Sequence, residues 1–438
     1  MLICNARIID VKNRAISEPK NLHIEGNKIK EILSNLSRID DENILDANNG
    51  FLLPGFIDTH IHLNAGRQKA PTMANPNPES DHEKDMSRLI SEVEKKLASY
   101  LYCGVTSVHD AGNDEDFIFK IRQMERDGEI ISPRIFAAGA FITAKGGHGS
   151  NLSNSVEIEG NPEESKNLLR LLSKKPDLLK ITYDEHNWGV RPLIPILTPD
   201  QLRRIVEIIH ENGFKVTVHA SNELRSREVI AAGADALAHP IIQSPATDEF
   251  CALVAELQIP ISSTLAIGDR YFKLADDPEY VDEGFYKECL PESERKRLKT
   301  EEHKLQKENS WADWMRVMTP ITQNNLYRYV KAGGLIATGT DLSLGAEIHR
   351  EFELLSNAGL NTWEILQATT INAAKYLNKE AELGSIEKGK LADLVILKAD
   401  PTEDVKNLHT ITHVVKNGEL INRKLLSAKM LKESEPMS

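Results

Sequence analysis

Only four cysteines occur in the 438 residues, Cys4, Cys103, Cys251 and Cys289, and no two of them form a CxxC pair. That scarcity argues against both a thiolate zinc site and a disulfide framework, and leaves reduced, buried thiols as the plain reading. Basic charge is also in deficit: 53 Lys and Arg stand against 66 Asp and Glu, a formal net charge of −13. Nucleic acid and anionic membrane surfaces reward clustered cations, so neither is an expected partner, whereas a small molecule is. No window approaches the roughly 18 consecutive apolar residues that a spanning helix needs. The first ten residues, which include Arg7 and Asp10, hold no signal-peptide apolar core. The expectation is a cytoplasmic enzyme.

Apolar residues at 40% and charged residues at 27% exclude a disordered, collagenous or coiled-coil chain as a whole. The length suits a large domain with a satellite. The first fifty residues read as short strands (2–9, 20–24, 28–33), and the far end behaves similarly (393–397, 411–416, 419–421), with Gly26-Asn27 and Asn417-Gly418 as turns. Neither set closes a core alone, so the two ends are expected to complete one another. This gives a composite β-domain from residues 1–54 and 384–425, with 426–438 as a polar tail.

Between them, short apolar strands alternate with helical runs, the pattern of a parallel sheet with crossover helices. Eight candidate strands fall at 57–62, 106–110, 134–139, 178–183, 215–219, 234–239, 259–265 and 335–341. Eight strands within residues 55–383 predict a closed (β/α)8 TIM barrel. Thr198-Pro199-Asp200-Gln201 offers an N-cap, a proline at the first helical position and the Gln of a capping box. Leu202, Ile205, Val206 and Ile209 then form one buried stripe, ended by Gly213. Asn361-Thr-Trp-Glu364 repeats the cap before a helix carrying Leu366 and Ala373. A long insertion at about 268–320 is charged and rich in aromatics, including Tyr271, Tyr286, Trp311 and Trp314. It follows the seventh strand, where a lid over the active site and a solvated helical excursion are both open readings.

The chemistry concentrates at strand ends. In Pro54-Gly-Phe-Ile-Asp-Thr-His60-Ile-His62, residues two apart share a strand face, so His60 and His62 can grip one metal ion. An HxH pair alone is weak, because two histidines on one face often only pack. Apolar runs also stop on His219, on His239 and on Asp341, and Lys180 is an unusual lysine inside a strand. Barrel enzymes gather catalytic groups at the C-terminal ends of several strands, which makes packing a poor explanation for this set.

With those residues in view, the whole chain resembles the amidohydrolase superfamily, which contains urease and dihydroorotase. The likeness rests on Pro54-Gly-Phe-Ile-Asp-Thr-His60-Ile-His62, Lys180, His219, His239, Gly339-Thr-Asp341 and the closing segment from Gly384 to Asp393. The segment from Ala138 to Gly149, containing Gly146-Gly-His148-Gly, further resembles imidazolonepropionases and metal-dependent Xaa-Pro and Xaa-Arg dipeptidases. The resemblance implies two divalent metal ions. His60, His62 and Asp341 would hold one, His219 and His239 the other, and Lys180, carboxylated to a carbamate, would bridge them. A mononuclear site, with Lys180 salt-bridged to Asp184 or Glu185, is the alternative. Homo-oligomers are common among such proteins, so one is expected here.

Imidazole and carboxylate ligands suit zinc, with Mn, Fe and Co as alternatives. A metal that lowers the pKa of its water towards about 7 supplies hydroxide to attack an amide carbonyl. Asp341 is then expected to take the proton from that water and return it to the leaving amine. His148 is a candidate to orient the carbonyl or the leaving group, and otherwise a plain loop histidine. His109 and Asp110, ending the second strand, and His349, on a helix, are expected behind the ligands. The expected reaction is hydrolysis of an amide C–N bond, most simply in a dipeptide or N-acyl amino acid. Alternatives are a cyclic amide, a urea or an ester-like xenobiotic, and, outside enzymes, a non-catalytic metal-binding protein. A substrate carboxylate would call for an arginine, and Arg191, Arg225, Arg227 and Arg270 are the candidates; Tyr183 is a further contact if strict alternation ends before it, and otherwise an ordinary barrel tyrosine. Ser221-Asn-Glu-Leu replaces the tyrosine-bearing segment of the dipeptidases after His219.

Overall fold

Strands from the two ends of the chain share one sheet. The computed structural model describes residues 1–34, 43–64, 78–152, 154–186 and 193–433, with 78–85 as backbone. The sheet runs in the order Glu419–Leu420, Ile411–Lys416, Leu394–Leu397, Phe51–Pro54, Leu2–Asp10, Ala15–Glu25, Lys28–Leu33, and Ile44–Asp46 also pairs with Leu2–Asp10. The ends join where Leu394 pairs antiparallel with Pro54 and Leu397 with Phe51. Ile3, Leu22, Ile24, Leu52, Leu394, Ile396 and Val415 bury a common face. Each end supplies only part of that face, which is why neither closes a core alone.

The (β/α)8 barrel lies between. Its strands are Phe56–Ile61, Val105–Asp110, Arg134–Ala137 continued by Phe141–Ala144, Leu179–Thr182, Val216–His219, Ala236–Leu237, Ile261–Ser262 and Ile336–Ala337. Each pairs in parallel with the next. The ring closes where the N–H of Thr59 donates to the Thr338 carbonyl at 2.9 Å and Ile61 bridges Leu342.

The last three strands are shorter than the apolar pattern predicts. Thr264 (φ 41°) and Asp341 (φ 56°) take left-handed backbone just beyond the seventh and eighth. A non-glycine residue there leaves the ladder, at a cost, and re-aims its side chain. The third strand breaks at 138–140 and resumes, and an additional strand, Ser155–Ile158, pairs beside Phe141–Ala144. The loop between these two carries His148.

Helices cover the barrel much as the caps predict. Helix Pro199–Glu211 has the full capping box between Thr198 and Gln201, and its stripe Leu202, Ile205, Val206 and Ile209 is buried. Asn361 and Glu364 form the second box, but this helix ends at Thr369, and Ile371–Tyr376 is a separate helix. Thr370 interrupts them with a non-helical backbone while its hydroxyl bonds the Leu366 carbonyl. The insertion is helical: Leu265–Asp276 leads in, short turns follow, and Ser310–Lys331 leads back to the eighth strand. No helix among the described residues is long and apolar enough to cross a membrane.

Candidate functional site

A cavity of about 450 Å³ opens at the C-terminal ends of the barrel strands, and His60, His62, His148, Lys180, His219, His239 and Asp341 all line it. The parallel ring explains the convergence, since every strand ends on the same side. Gly339 permits the closest approach. A Cβ there would stand 2.1 Å from Ser262 Oγ and 2.9 Å from His60 Cβ, so only glycine lets the eighth strand lie against His60.

The rings are held by their neighbours. His60 Nδ1 meets the Ala238 carbonyl at 3.1 Å, His62 Nδ1 the Gly112 carbonyl at 2.9 Å, and His239 Nδ1 the Thr264 hydroxyl at 3.0 Å. With Nδ1–H donating, each ring turns an Nε2 lone pair inward. His219 is reversed: its Nε2 meets Asp184 Oδ2 at 3.1 Å, which leaves Nδ1 for the cavity. Asp184 in turn accepts from the Ser221 hydroxyl, and Ser221 accepts from the Gln243 amide. The ring centroids of His60 and His239, and those of His219 and His239, are 4.6 Å apart.

His60, His62 and Asp341 each offer one ligand atom, and the three atoms lie within 4.8 Å of one another. Asp341 Oδ1 is 3.2 Å from His62 Nε2 and 3.5 Å from His60 Nε2. Lys180 Nζ is 3.2 Å from His60 Nε2. Neither alternative salt bridge forms, because Asp184 is taken by His219 and Ser221 while Glu185 pairs with Arg225 at 2.9 Å. Burial drives Lys180 down to about 8 and holds His60 and His239 well below the usual imidazole range. For His62 burial also acts downward, but Asp341 outweighs it and the pKa is raised. Inward lone pairs, one carboxylate and an amine that readily loses its proton form a donor set that fits divalent cations.

His148 is buried, lines the cavity, and stacks on His219 with centroids 4.6 Å apart. Burial, then His219, lowers its pKa to about 3, so the ring is neutral. Tyr183 and Arg225 do not reach the cavity. Tyr183 is fully buried with its hydroxyl on Glu228 at 2.8 Å, and Arg225 spans Glu185 and Glu228. Strict alternation still holds at Tyr183, which places it on the opposite face from Thr182. Arg227 binds Glu223, and Arg191 lies outside the described residues. His109 ties strands together through the Thr59 and Leu178 carbonyls, each at 3.0 Å. Asp110 accepts from the N–H groups of Leu63 and Gly112. His349 sits away from the ligands, donating to the Cys103 carbonyl among Phe56, Phe285 and Phe352.

Sequence reading named Asp184 only as a possible partner of Lys180, and it did not find Thr264, Asn154 or Gln243, which also line the cavity. The insertion contributes a wall through Ile267, Gly268, Arg270, Tyr271, Trp311 and Met315. Its first helix is pinned by Asp269 to Arg350, with both contacts at 2.9 Å, and by Glu351, which accepts from the N–H groups of Leu265 and Ala266.

Residues 51–421 match the family model described as the amidohydrolase family. This chain belongs to the amidohydrolase family. The family is metal-dependent, and its members related to this chain are hydrolases acting on small molecules. The chain is 24% identical to an ochratoxinase of Aspergillus niger over 408 residues, covering 84% of this chain and 75% of that one. It is 23% identical to the imidazolonepropionase of Clostridium tetani over 461 residues, covering 95% and 93%. Among solved structures, a prolidase complexed with N-methylphosphonate-L-proline superimposes with a TM-score of 0.75 at 21% identity, covering 96% of this chain and 99% of that one.

Proposed function

We propose that this amidohydrolase cleaves the amide C–N bond of a dipeptide or small N-acyl amino acid, using two divalent cations, zinc by ligand chemistry. His60, His62 and Asp341 would hold one cation and His219 and His239 the other. Lys180, after adding carbon dioxide at Nζ and releasing a proton, would carry the shared anion between them. The observation that carries this reading is the gathering of all six groups at one cavity with their lone pairs turned inward. When bound, the cations supply Lewis acidity and a lowered pKa for water. Asp341 takes the proton as water adds to the carbonyl carbon and delivers it to the amine nitrogen as the C–N bond breaks, so the products are a carboxylic acid and an amine. His148, neutral and beside His219, turns its Nδ1–H to the His186 carbonyl at 3.3 Å, so its Nε2 carries a lone pair that accepts an N–H of the leaving group and orients it. The likeness to a prolidase and an ochratoxinase supports an amide-type substrate.

A second reading is hydrolysis of a neutral urea, cyclic amide or aryl amide, favoured by the apolar residues Phe141, Leu152, Ile242, Ile267, Trp311 and Met315 around the cavity. A panel of dipeptides, N-acyl amino acids, cyclic ureas and aryl amides, with released amine quantified, separates the two. Cleavage of the first two classes supports the proposal, and cleavage of the last two alone selects the second reading. No cleavage by metal-loaded protein across the panel favours a non-catalytic metal-binding role.

A further inference from the structure

Arg270 is the one arginine among the described residues that line the cavity. It projects from helix Leu265–Asp276, and among the described residues its guanidinium makes a single hydrogen bond, from Nη1 to Glu347 Oε1 at 2.9 Å. A guanidinium has five N–H donors, so four are uncommitted. Its side chain is 25% exposed where it lines the cavity, so the free edge is open to the cavity rather than packed in protein. The bound edge is set firmly. Glu347 is 1% exposed, and its other oxygen accepts from the Tyr286 hydroxyl at 2.6 Å. The helix beneath is fixed by the Asp269–Arg350 pair and by Glu351 at its start.

We propose that Arg270 determines specificity by holding a free carboxylate of the substrate in its open fork. This rests on reading the chain as an amide hydrolase and deepens it: the substrate is an amide whose amine portion ends in a carboxylate, as in a dipeptide or N-acyl amino acid. Two parallel N–H···O bonds from a planar guanidinium match a planar carboxylate in a way that one ammonium does not. Glu347 and Tyr286 hold the guanidinium in plane before the substrate arrives, so little freedom is lost on binding. Arg225 and Arg227 spend their donors on Glu185, Glu228 and Glu223 and do not line the cavity.

The test compares N-acetyl-L-leucine with its carboxamide in the zinc-loaded wild type and in Arg270→Met, by kcat/KM where cleavage occurs and by calorimetric Kd where it does not. The double variant Arg270→Met/Glu347→Gln guards against misfolding, because a lone Glu347 would be a buried charge without a partner. Metal content and melting temperature are recorded for each protein. The wild type should prefer the free carboxylate by about 10- to 100-fold, the scale of a charged hydrogen-bond pair, and the preference should collapse in both variants through KM or Kd. Equal handling of the two ligands by the wild type overturns the clamp and leaves the hydrolase reading standing. A preference that survives in both variants means that the metals or another group hold the carboxylate, and also overturns it. Absence of cleavage of both ligands leaves the hydrolase reading to the wider substrate panel, while the Kd comparison still decides whether Arg270 recognises the carboxylate.

Discussion

The backbone N–H of Asp341 donates to the carbonyl of His60 at 2.7 Å. This bond registers the end of the eighth strand on the end of the first. It fixes the Asp341 carboxylate 3.2 Å from His62 Nε2 while the backbone sits at a φ of 56°. Left-handed backbone at a bulky position persists only where surrounding bonds impose it, and here those bonds set the distance between a base and two metal-binding rings. Replacing Asp341 by Asn should therefore keep the fold yet lower kcat by about 10²–10⁴-fold at saturating metal, since an amide accepts no proton. Unchanged kinetics would remove its acid–base role.

Gly339→Ala tests the same contact from the other side. The new methyl would meet Ser262 Oγ at 2.1 Å and His60 Cβ at 2.9 Å, and both residues are buried. Overpacking of this kind costs about 1–3 kcal/mol and should displace His60. Both a lower melting temperature and weaker metal retention against a chelator are expected. A stable variant with normal metal affinity would mean that the two strands tolerate separation.

Lys180→Ala should lose most activity and part of its metal, and a short carboxylic acid such as acetate or propionate should restore some of each by standing in for the carbamate. Infrared or mass measurement under labelled carbon dioxide supplies an independent check, expecting one carboxylated lysine in the wild type. Wild-type rate and metal content in Lys180→Ala would discard the bridge.

Glu351 gives a pH-dependent expectation. Burial raises its pKa from 4.5 to about 7. A carboxyl whose folded pKa lies above its unfolded one adds stability that is fully present below about 4.5 and lost as pH rises through about 7. Between those limits the wild type should lose on the order of 3 kcal/mol relative to Glu351→Gln, which cannot ionise. Parallel denaturation curves of the two proteins across that range read the difference directly, and a constant offset would show that Glu351 titrates normally.

His60, His62, His219, His239 and Asp341 could be found by reading the chain because each ends an apolar run, and in a parallel barrel every run ends at the same mouth. The partners that aim them were hidden. Thr264 reaches His239 from the neighbouring strand, and Ser221 and Gln243 reach Asp184 through folds of the chain that no local spacing records. The sixth to eighth strands were overestimated because the chain runs on towards the mouth after the ladder stops at Leu237, Ser262 and Ala337, and in the seventh and eighth it then turns left-handed at Thr264 and Asp341. Among the arginines, chemistry named the type but not the member: whether Arg225 or Arg270 faces the cavity depends on where Glu185, Glu228 and Glu347 sit. The insertion showed its aromatics in the sequence. That two of them, Tyr271 and Trp311, meet edge to face with centroids 6.4 Å apart beside the cavity depends on how its first and last helices pack.

Elemental analysis of active protein purified without added metal decides whether the histidine pairs, Lys180 and Asp341 form one binuclear centre. Close to two equivalents of divalent metal per chain, predominantly zinc, are expected. One equivalent in a fully active preparation would contradict the binuclear centre, and active protein containing no metal would contradict metal-dependent hydrolysis at this cavity.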